Sequence, residues 1–257
     1  MTKRSPLIFL LFLLPILNRA GIREQDIGLL LKQAREAELA QNEPLALQKY
    51  LEVAQKAPSQ HEAVCKTSEL YCTLGRRQNS EKTRREYYYK GLEWARKAYA
   101  LDPDHAESNF VMSFAMGRLA LIASGEEKIN AVRDIKKYAE RVIRIDPLNF
   151  KGYHVLGKWH YEVSSLTALE RWLVRIAFGA LPASSFAASI SNYEKSKNLH
   201  PGFLLNYLEL AKAYHAIGQK AAAIKQLQSM SGVPDNNVDD IYIRSEARSL
   251  LKDWTGK

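Results

Sequence analysis

Four short stretches recur along the chain, each carrying a helix-forming segment into a proline: "EVAQKAPSQHEA", "KAYALDPDHAES", "RVIRIDPLNFKG" and "KSKNLHPGFLLN". Their prolines, Pro58, Pro103, Pro147 and Pro201, stand 45, 44 and 54 residues apart. Proline lacks the N–H that a helix interior requires, so each marks where one helix ends and another begins. Segments repeating at this period bury their apolar faces only by stacking on their neighbours. Composition agrees, because 46% hydrophobic and 25% charged residues suit a folded chain, and Ala, Leu, Glu, Lys and Arg favour helix. No strand-like alternation of apolar and polar residues interrupts the pattern.

Side chains between the prolines narrow the class. Ala46, Tyr50 and Val53 precede Pro58; Gly91, Ala95 and Ala98 precede Pro103; Ser189, Tyr193 and Ser196 precede Pro201. Tyr153, Leu156, Gly157 and Tyr161 follow Pro147, and Tyr207, Leu210, Ala211, Tyr214, Gly218, Ala223 and Leu227 follow Pro201. Small residues that admit a close neighbour, alternating with aromatics that fill between turns, are the signature of the tetratricopeptide repeat. The spacings exceed its ~34-residue period by 11, 10 and 20 residues, which the reading places in turns. An all-α tetratricopeptide-repeat solenoid follows, spanning 25–254, with five helix pairs beginning near 25, 60, 104, 148 and 202. "DPDHAE" offers Asp104 as an N-cap with Glu107 three residues on, a capping box. "VDDIYIRSEARSLLKDW" supplies a capping helix, with Ile241, Ile243, Ala247, Leu250, Leu251 and Trp254 for the open end of the stack.

The 20-residue excess falls on "SSLTALERWLVRIAFGALPASS". Leu169, Trp172, Leu173, Ile176 and Ala177 form one helical stripe with Arg171 and Arg175 opposite, and Pro182 ends it. This insert at about 166–182 either packs as an extra helix on its own repeat or forms a lid or partner-binding helix beside the groove.

At this point the chain resembles the regulator of microtubule dynamics family of tetratricopeptide proteins. The resemblance rests on "RIDPLNFKGYHVLGKWHYE", "ERWLVRIAFGALPASS" and "YEKSKNLHPGFLLNYLELAKAYHAIGQKAAA", over roughly residues 81–254. Trp159, Arg171, Arg175, Phe178, Pro182, Pro201, Phe203 and Asn206 carry it, with Leu181-Pro182 where the family often has two prolines. It implies a helical-repeat fold. Repeats following closely on the N-terminal segment suit an exported bacterial relative.

Catalytic signatures are missing. "GYHVLGK", Gly152 to Lys158, has the spacing of a phosphate loop but is followed by Trp159 instead of Ser or Thr. The histidines and the two cysteines lack metal-site spacing, so neither a metal nor a cofactor is expected. Cys65 and Cys72, two turns apart on one helix, are too distant to bridge each other. The formal charge of +9 is dispersed, which argues against nucleic acid, and the densest basic run, "GRRQNSEKTRREYYYKG", reads as a solvated loop and helix start.

A non-catalytic interaction scaffold, holding a protein or peptide in the concave groove, is therefore expected. The first helices of the pairs place Lys151, His154, Lys158 and Tyr161, with Leu208, Lys212 and His215, on one groove wall. Phe110 and Phe114 come from the third pair, and Cys65 and Cys72 from the second. Amines and imidazoles beside aromatics suit an acidic partner. The alternative is a protein binding lipid or another apolar ligand through the groove and the insert, with Trp172, Arg171, Arg175 and Phe178.

"MTKRSPLIFLLFLLPILNRAG" runs basic, apolar and small, the order of a signal peptide, with an apolar core from Leu7 to Leu17 too short to span a bilayer. Residues 1–20 are thus expected to be a signal or targeting segment. Cleavage makes the protein periplasmic or extracellular; retention leaves it cytoplasmic or on an organelle surface. N-terminal sequencing of the mature protein is expected to begin near Gly21, and a chain that retains Met1 makes the segment an anchor.

Overall fold

The computed structural model describes residues 14–256, with side chains from residue 24 onward. The expected signal segment lies outside the described residues as far as residue 13. Twelve α-helices, with no strand among the described residues, follow in order. They are α1 (Leu14–Leu39), α2 (Glu43–Lys56), α3 (His61–Arg76), α4 (Glu81–Leu101), α5 (Ala106–Ile122), α6 (Gly125–Ile145), α7 (Phe150–Ser165), α8 (Ala168–Phe178), α9 (Phe186–Leu199), α10 (Leu204–Ala216), α11 (Lys220–Ser229) and α12 (Asp240–Thr255). Five helix pairs and a terminal α12 match the expected plan, and α8 stands between α7 and α9. Compact packing divides the chain within α3 into two units, Met1–Thr67 and Ser68–Lys257.

In the smaller unit, Ala46, Tyr50 and Val53 are fully buried, with Leu31 and Ala34 of α1 beside them in the core. The Tyr50 hydroxyl donates to Glu38 at 2.8 Å, and Lys66 reaches the same carboxylate at 2.5 Å. Burial, followed by the Glu38 hydrogen bond, pushes the Tyr50 phenol up.

The prolines act as sequence reasoning expects. Each takes the second position of a four-residue turn whose last N–H returns to the first carbonyl. These bonds are Gln60 to Ala57 (2.9 Å), His105 to Asp102 (3.4 Å), Asn149 to Asp146 (3.1 Å) and Phe203 to His200 (3.2 Å). Six residues after three of the prolines, a side chain donates to the proline's own carbonyl: Asn109 to Pro103, Tyr153 to Pro147 and Tyr207 to Pro201. The turn geometry corrects one cap. His105 is the N-cap of α5 and its Nδ1 accepts from Glu107, while Asp104, held inside the turn, pairs with Arg141.

The extra length of the repeats also lies elsewhere than expected. The connections from α3 to α7 are only two to four residues long, so the helices themselves are extended. Adding turns at a helix end leaves the face of the existing residues in register, so the core pattern survives. Gly91, Ala95 and Ala98, and Ser189, Tyr193 and Ser196, are buried, and Ala139 and Val142 repeat the register before Pro147.

Within the larger unit, paired helices meet at small residues. A Cβ at Gly157 would lie 2.8 Å from the Tyr193 ring, and one at Gly91 would lie 2.5 Å from the Cys72 sulfur. Beside each glycine a buried serine donates to its carbonyl at 2.8 Å, Ser189 to Gly157 and Ser68 to Gly91. The loop-like string around Gly157 is thus the middle of α7 under an aromatic lid. At the other end, Ile243 and Ala247 of α12 are buried with Leu204, Tyr207, Leu208 and Leu227, and Leu250, Leu251 and Trp254 pack on this cluster. Ile241, expected in that seam, is 65% exposed.

Helix α8 leaves the apolar stripe of the insert uncovered. None of its residues is buried, and Leu169, Trp172, Leu173 and Ile176 are each more than half exposed. It is nonetheless held at both ends: Thr167 and Glu170 form a capping box, and Arg133 of α6 donates to the carbonyls of Phe178 (2.5 Å) and Gly179 (3.3 Å).

Gly157→Ala is expected to lower stability by about 1–3 kcal/mol through overpacking. Gly117, in α5 with nothing near its missing Cβ, should gain up to ~1 kcal/mol as alanine from helix propensity alone. Thermal or urea unfolding monitored by circular dichroism measures both, and a stabilised Gly157→Ala would remove the close-approach argument.

Candidate functional site

The first helices of successive pairs, α5, α7 and α10, and then α12, contact one another in turn, forming one inner face of the larger unit. Sequence reasoning places Lys151, Lys158 and Lys212 here as amines available to a partner. They lie on this face, but carboxylates already engage them. Lys151 of α7 meets Glu107 of α5 at 2.8 Å and Glu69 of α3 at 3.6 Å. Lys158 meets Glu209 of α10 at 2.7 Å and Glu162 at 2.9 Å. Lys212 meets Glu209 at 3.2 Å and Glu246 of α12 at 2.7 Å.

Glu209 is the centre of this chain of charges. It is 6% exposed, and a buried carboxylate without partners would take up a proton. Burial does push its pKa upward, but Lys158 and then Lys212 outweigh it and hold the carboxyl below the usual range. Burial likewise opposes the charge on Lys158, and Glu209 with Glu162 more than restores it, leaving the amine raised. Lys212 is raised in the same way by Glu209 and Glu246 against its burial.

His154 sits beside this pair in a second polar relay. Asn206 donates through Nδ2 to the Tyr193 carbonyl at 2.8 Å, which orients its amide. Its Oδ1 then accepts from His154 Nδ1 at 2.9 Å, so that nitrogen carries the proton. Burial lowers the His154 pKa despite this hydrogen bond and the nearby Glu209. Phe203 packs edge-on against both Phe150 (5.4 Å) and His154 (4.8 Å). The proline, phenylalanine and asparagine that open the last pair therefore build the joint between α7 and α10. The Tyr193 hydroxyl, buried nearby, has no hydrogen-bond partner among the described residues.

Other expected groove residues divide. Phe110 is buried and Phe114 stacks on it at 5.7 Å, with the Lys151 amine 4.3 Å above the Phe110 ring. Tyr161 is half-buried, its ring 5.5 Å from the Lys158 amine. His215 stacks flat on Trp254 at 4.2 Å, joining α10 to α12. Leu208 is 1% exposed and belongs to the core, because it faces the α12 cluster and not the groove. Cys65 and Cys72 are buried thiols, not groove residues, and burial pushes the Cys72 thiol up to about 12.

Sequence reasoning missed the role of the basic run. Arg76 and Arg77 at the end of α3 both pair with Asp239, which stands before α12 and is 8% exposed. Arg84 donates to the Gln78 carbonyl and Arg85 to that of Ile122. The arginines close helix ends and fasten α12; they are not a solvated stretch. Only the partners, 162 residues away for Arg77, reveal this. Among the described residues no cluster of His, Cys, Asp and Glu could hold a metal ion.

The insert forms a separate feature. Arg171, Trp172 and Arg175 line an open cleft of about 470 Å³ with Val163, Ala168 and the stretch Ala180 to Ser184. Arg171 donates to the Val163 carbonyl at 3.3 Å.

Stacked antiparallel helix pairs with glycine and serine under aromatics define a tetratricopeptide-repeat solenoid. In overall fold the chain is similar to TTC0263, a thermophilic tetratricopeptide protein of Thermus thermophilus, with a TM-score of 0.65 and 14% identity over 88% of this chain and 98% of that one. It is also similar to the type IV pilus biogenesis factor PilW, with a TM-score of 0.57 and 18% identity over 89% and 93%. The family model for regulator of microtubule dynamics proteins 1-3 matches residues 30–255, and the chain belongs to that family. Regulator of microtubule dynamics protein 1 of Bos taurus is 24% identical over 69% of this chain and 56% of its own length. Protein 3 of Rattus norvegicus is 23% identical over 88% and 49%. The chain thus spans about half the length of these curated relatives.

Because Glu209 is ionised with a depressed pKa, it contributes stability above the carboxylate range that is lost as pH falls through its folded value. Denaturant unfolding across pH should show wild-type stability dropping below pH ~4.5, the unperturbed carboxylate value. Glu209→Gln should lose about 1–3 kcal/mol at neutral pH and lack that part of the acid slope. Equal slopes would remove Glu209 as the centre of the charge chain.

Proposed function

We propose that the protein is a non-catalytic interaction scaffold that holds a peptide segment of a partner protein along the inner face of its larger unit. The fold and the family support interaction in general, since helical-repeat solenoids present extended surfaces for other chains. The observation that carries the finer reading is the chain of ion pairs running from Glu69 through Lys151, and from Lys158 through Glu209 and Lys212 to Glu246. Charged side chains line the inner face while the apolar surface is used within and between pairs.

The pairing alters the expected partner. With the three lysines shared among five carboxylates, the face offers no surplus of positive charge there. A segment of mixed charge, exchanging its own groups into the existing pairs, fits better than a uniformly acidic one. Reversing Lys158 or Lys212 to Glu would place a second carboxylate against buried Glu209, so such variants would report folding instead of binding. The lipid alternative has its support at the uncovered stripe of the insert and not at this ion-paired face.

A photo-crosslinking residue at Phe114 or Tyr161 tests the reading without touching the ion pairs. Crosslinks to a partner protein are expected from these inner positions and not from Lys195 or Lys225 on the second helices. Crosslinks confined to Lys195 and Lys225, or none at all, would overturn the inner-face assignment.

A further inference from the structure

Helix α8 is amphipathic, anchored and uncovered. Its anchoring is extensive for an 11-residue helix. The capping box closes its start, the Gly179 N–H closes its end on the Arg175 carbonyl, and Arg133 grips the carbonyls that follow. Yet Leu169, Trp172, Leu173 and Ile176, with 51–65% of their surface exposed, contribute to no core. A stripe of this kind costs solubility, and a helix held so firmly does not shed it by unfolding.

From this geometry we propose that α8 docks the protein on an anionic lipid surface. The apolar stripe enters the headgroup boundary while Arg171 and Arg175 meet lipid phosphates. Three observations favour this occupant. The charge is one-sided: Glu170 is the single acid of α8, and its carboxylate is spent on the Thr167 N–H and hydroxyl. Arg171 and Arg175 make no carboxylate contact among the described residues. The composition of α8, Trp and Leu on one face and arginine on the other, is that of a helix lying in the plane of a bilayer interface. The apolar surface also continues past the helix, through Trp172 into the cleft lined by Ala180, Leu181 and Pro182.

Docking here does not depend on the inner face, so either reading can fail alone. Full-length protein is sedimented with vesicles of phosphatidylcholine, with and without phosphatidylglycerol. Binding to the anionic vesicles is expected, with a blue shift of tryptophan emission. That shift should vanish in Trp172→Phe, which leaves Trp94, Trp159 and Trp254 in place. Arg171→Gln with Arg175→Gln should weaken partitioning roughly twenty-five-fold, about fivefold for each charge. Leu173→Ser with Ile176→Ser should weaken it at least as much. Because no α8 residue is buried, these variants should melt as wild type does.

Wild type failing to bind anionic vesicles overturns the proposal. So does binding unchanged in both double variants, which would assign it to the apolar segment near the N-terminus. A dimer in solution that dissociates in Leu173→Ser/Ile176→Ser, without vesicle binding by wild type, would give the stripe to a second copy instead.

Discussion

Where α7 crosses α9, Gly157 comes so near that a single added methyl carbon would fall 2.8 Å from the Tyr193 ring. Ser189 closes the remaining space with a hydrogen bond to the Gly157 carbonyl. The same device joins α3 to α4 at Gly91 and Ser68. Close approach at these points sets the distance and angle within a pair, and the stack inherits both. Dispersion contacts are short-ranged, so a looser pair would leave the aromatic rings without neighbours. The polar joint of His154, Asn206 and Tyr193 depends on it too, because Tyr193 supplies both the ring over Gly157 and the carbonyl that orients Asn206.

With apolar faces consumed within and between pairs, the first helices present charged residues to one another. Those side chains are partly withdrawn from water, and partial burial makes an unpaired charge costly. Alternating lysines and glutamates along the inner face are the solution observed. Glu209 is bound from two sides, and Lys158 and Lys212 each hold a further carboxylate. Such a surface attracts no ligand by net charge. On the reading proposed above, it would discriminate by whether an incoming segment can replace the pairs it disturbs, a differential in which repulsion counts as much as attraction.

The insert obeys the opposite logic. Its charges are unbalanced and its apolar residues unburied, while its ends are fastened by Thr167, Glu170 and Arg133. One chain thus carries a self-satisfied face and an unsatisfied one. The length excess before Pro201 is the price of the second.

Much of this was legible in the sequence because it is local. Proline turns, helix phase and the small residues before Pro58, Pro103 and Pro201 depend on neighbours within a turn or two, and the same residues prove buried. Helix-stop chemistry acts wherever the chain goes, so five pairs, the insert and the final helix could be placed from residue order. What an amine or a leucine faces is set by elements far along the chain. Lys158 reads as an available cation until Glu209 arrives from α10, Arg77 as solvated until Asp239 does, and Leu208 as groove wall until α12 covers it. The stripe of α8 left two placements open, on its own repeat or beside the groove, and only the tertiary structure, which holds the helix by its ends, shows the stripe uncovered. Periodicity states which residues share a face; the fold alone supplies the partner, because contact energies act over a few ångströms in space and not along the chain.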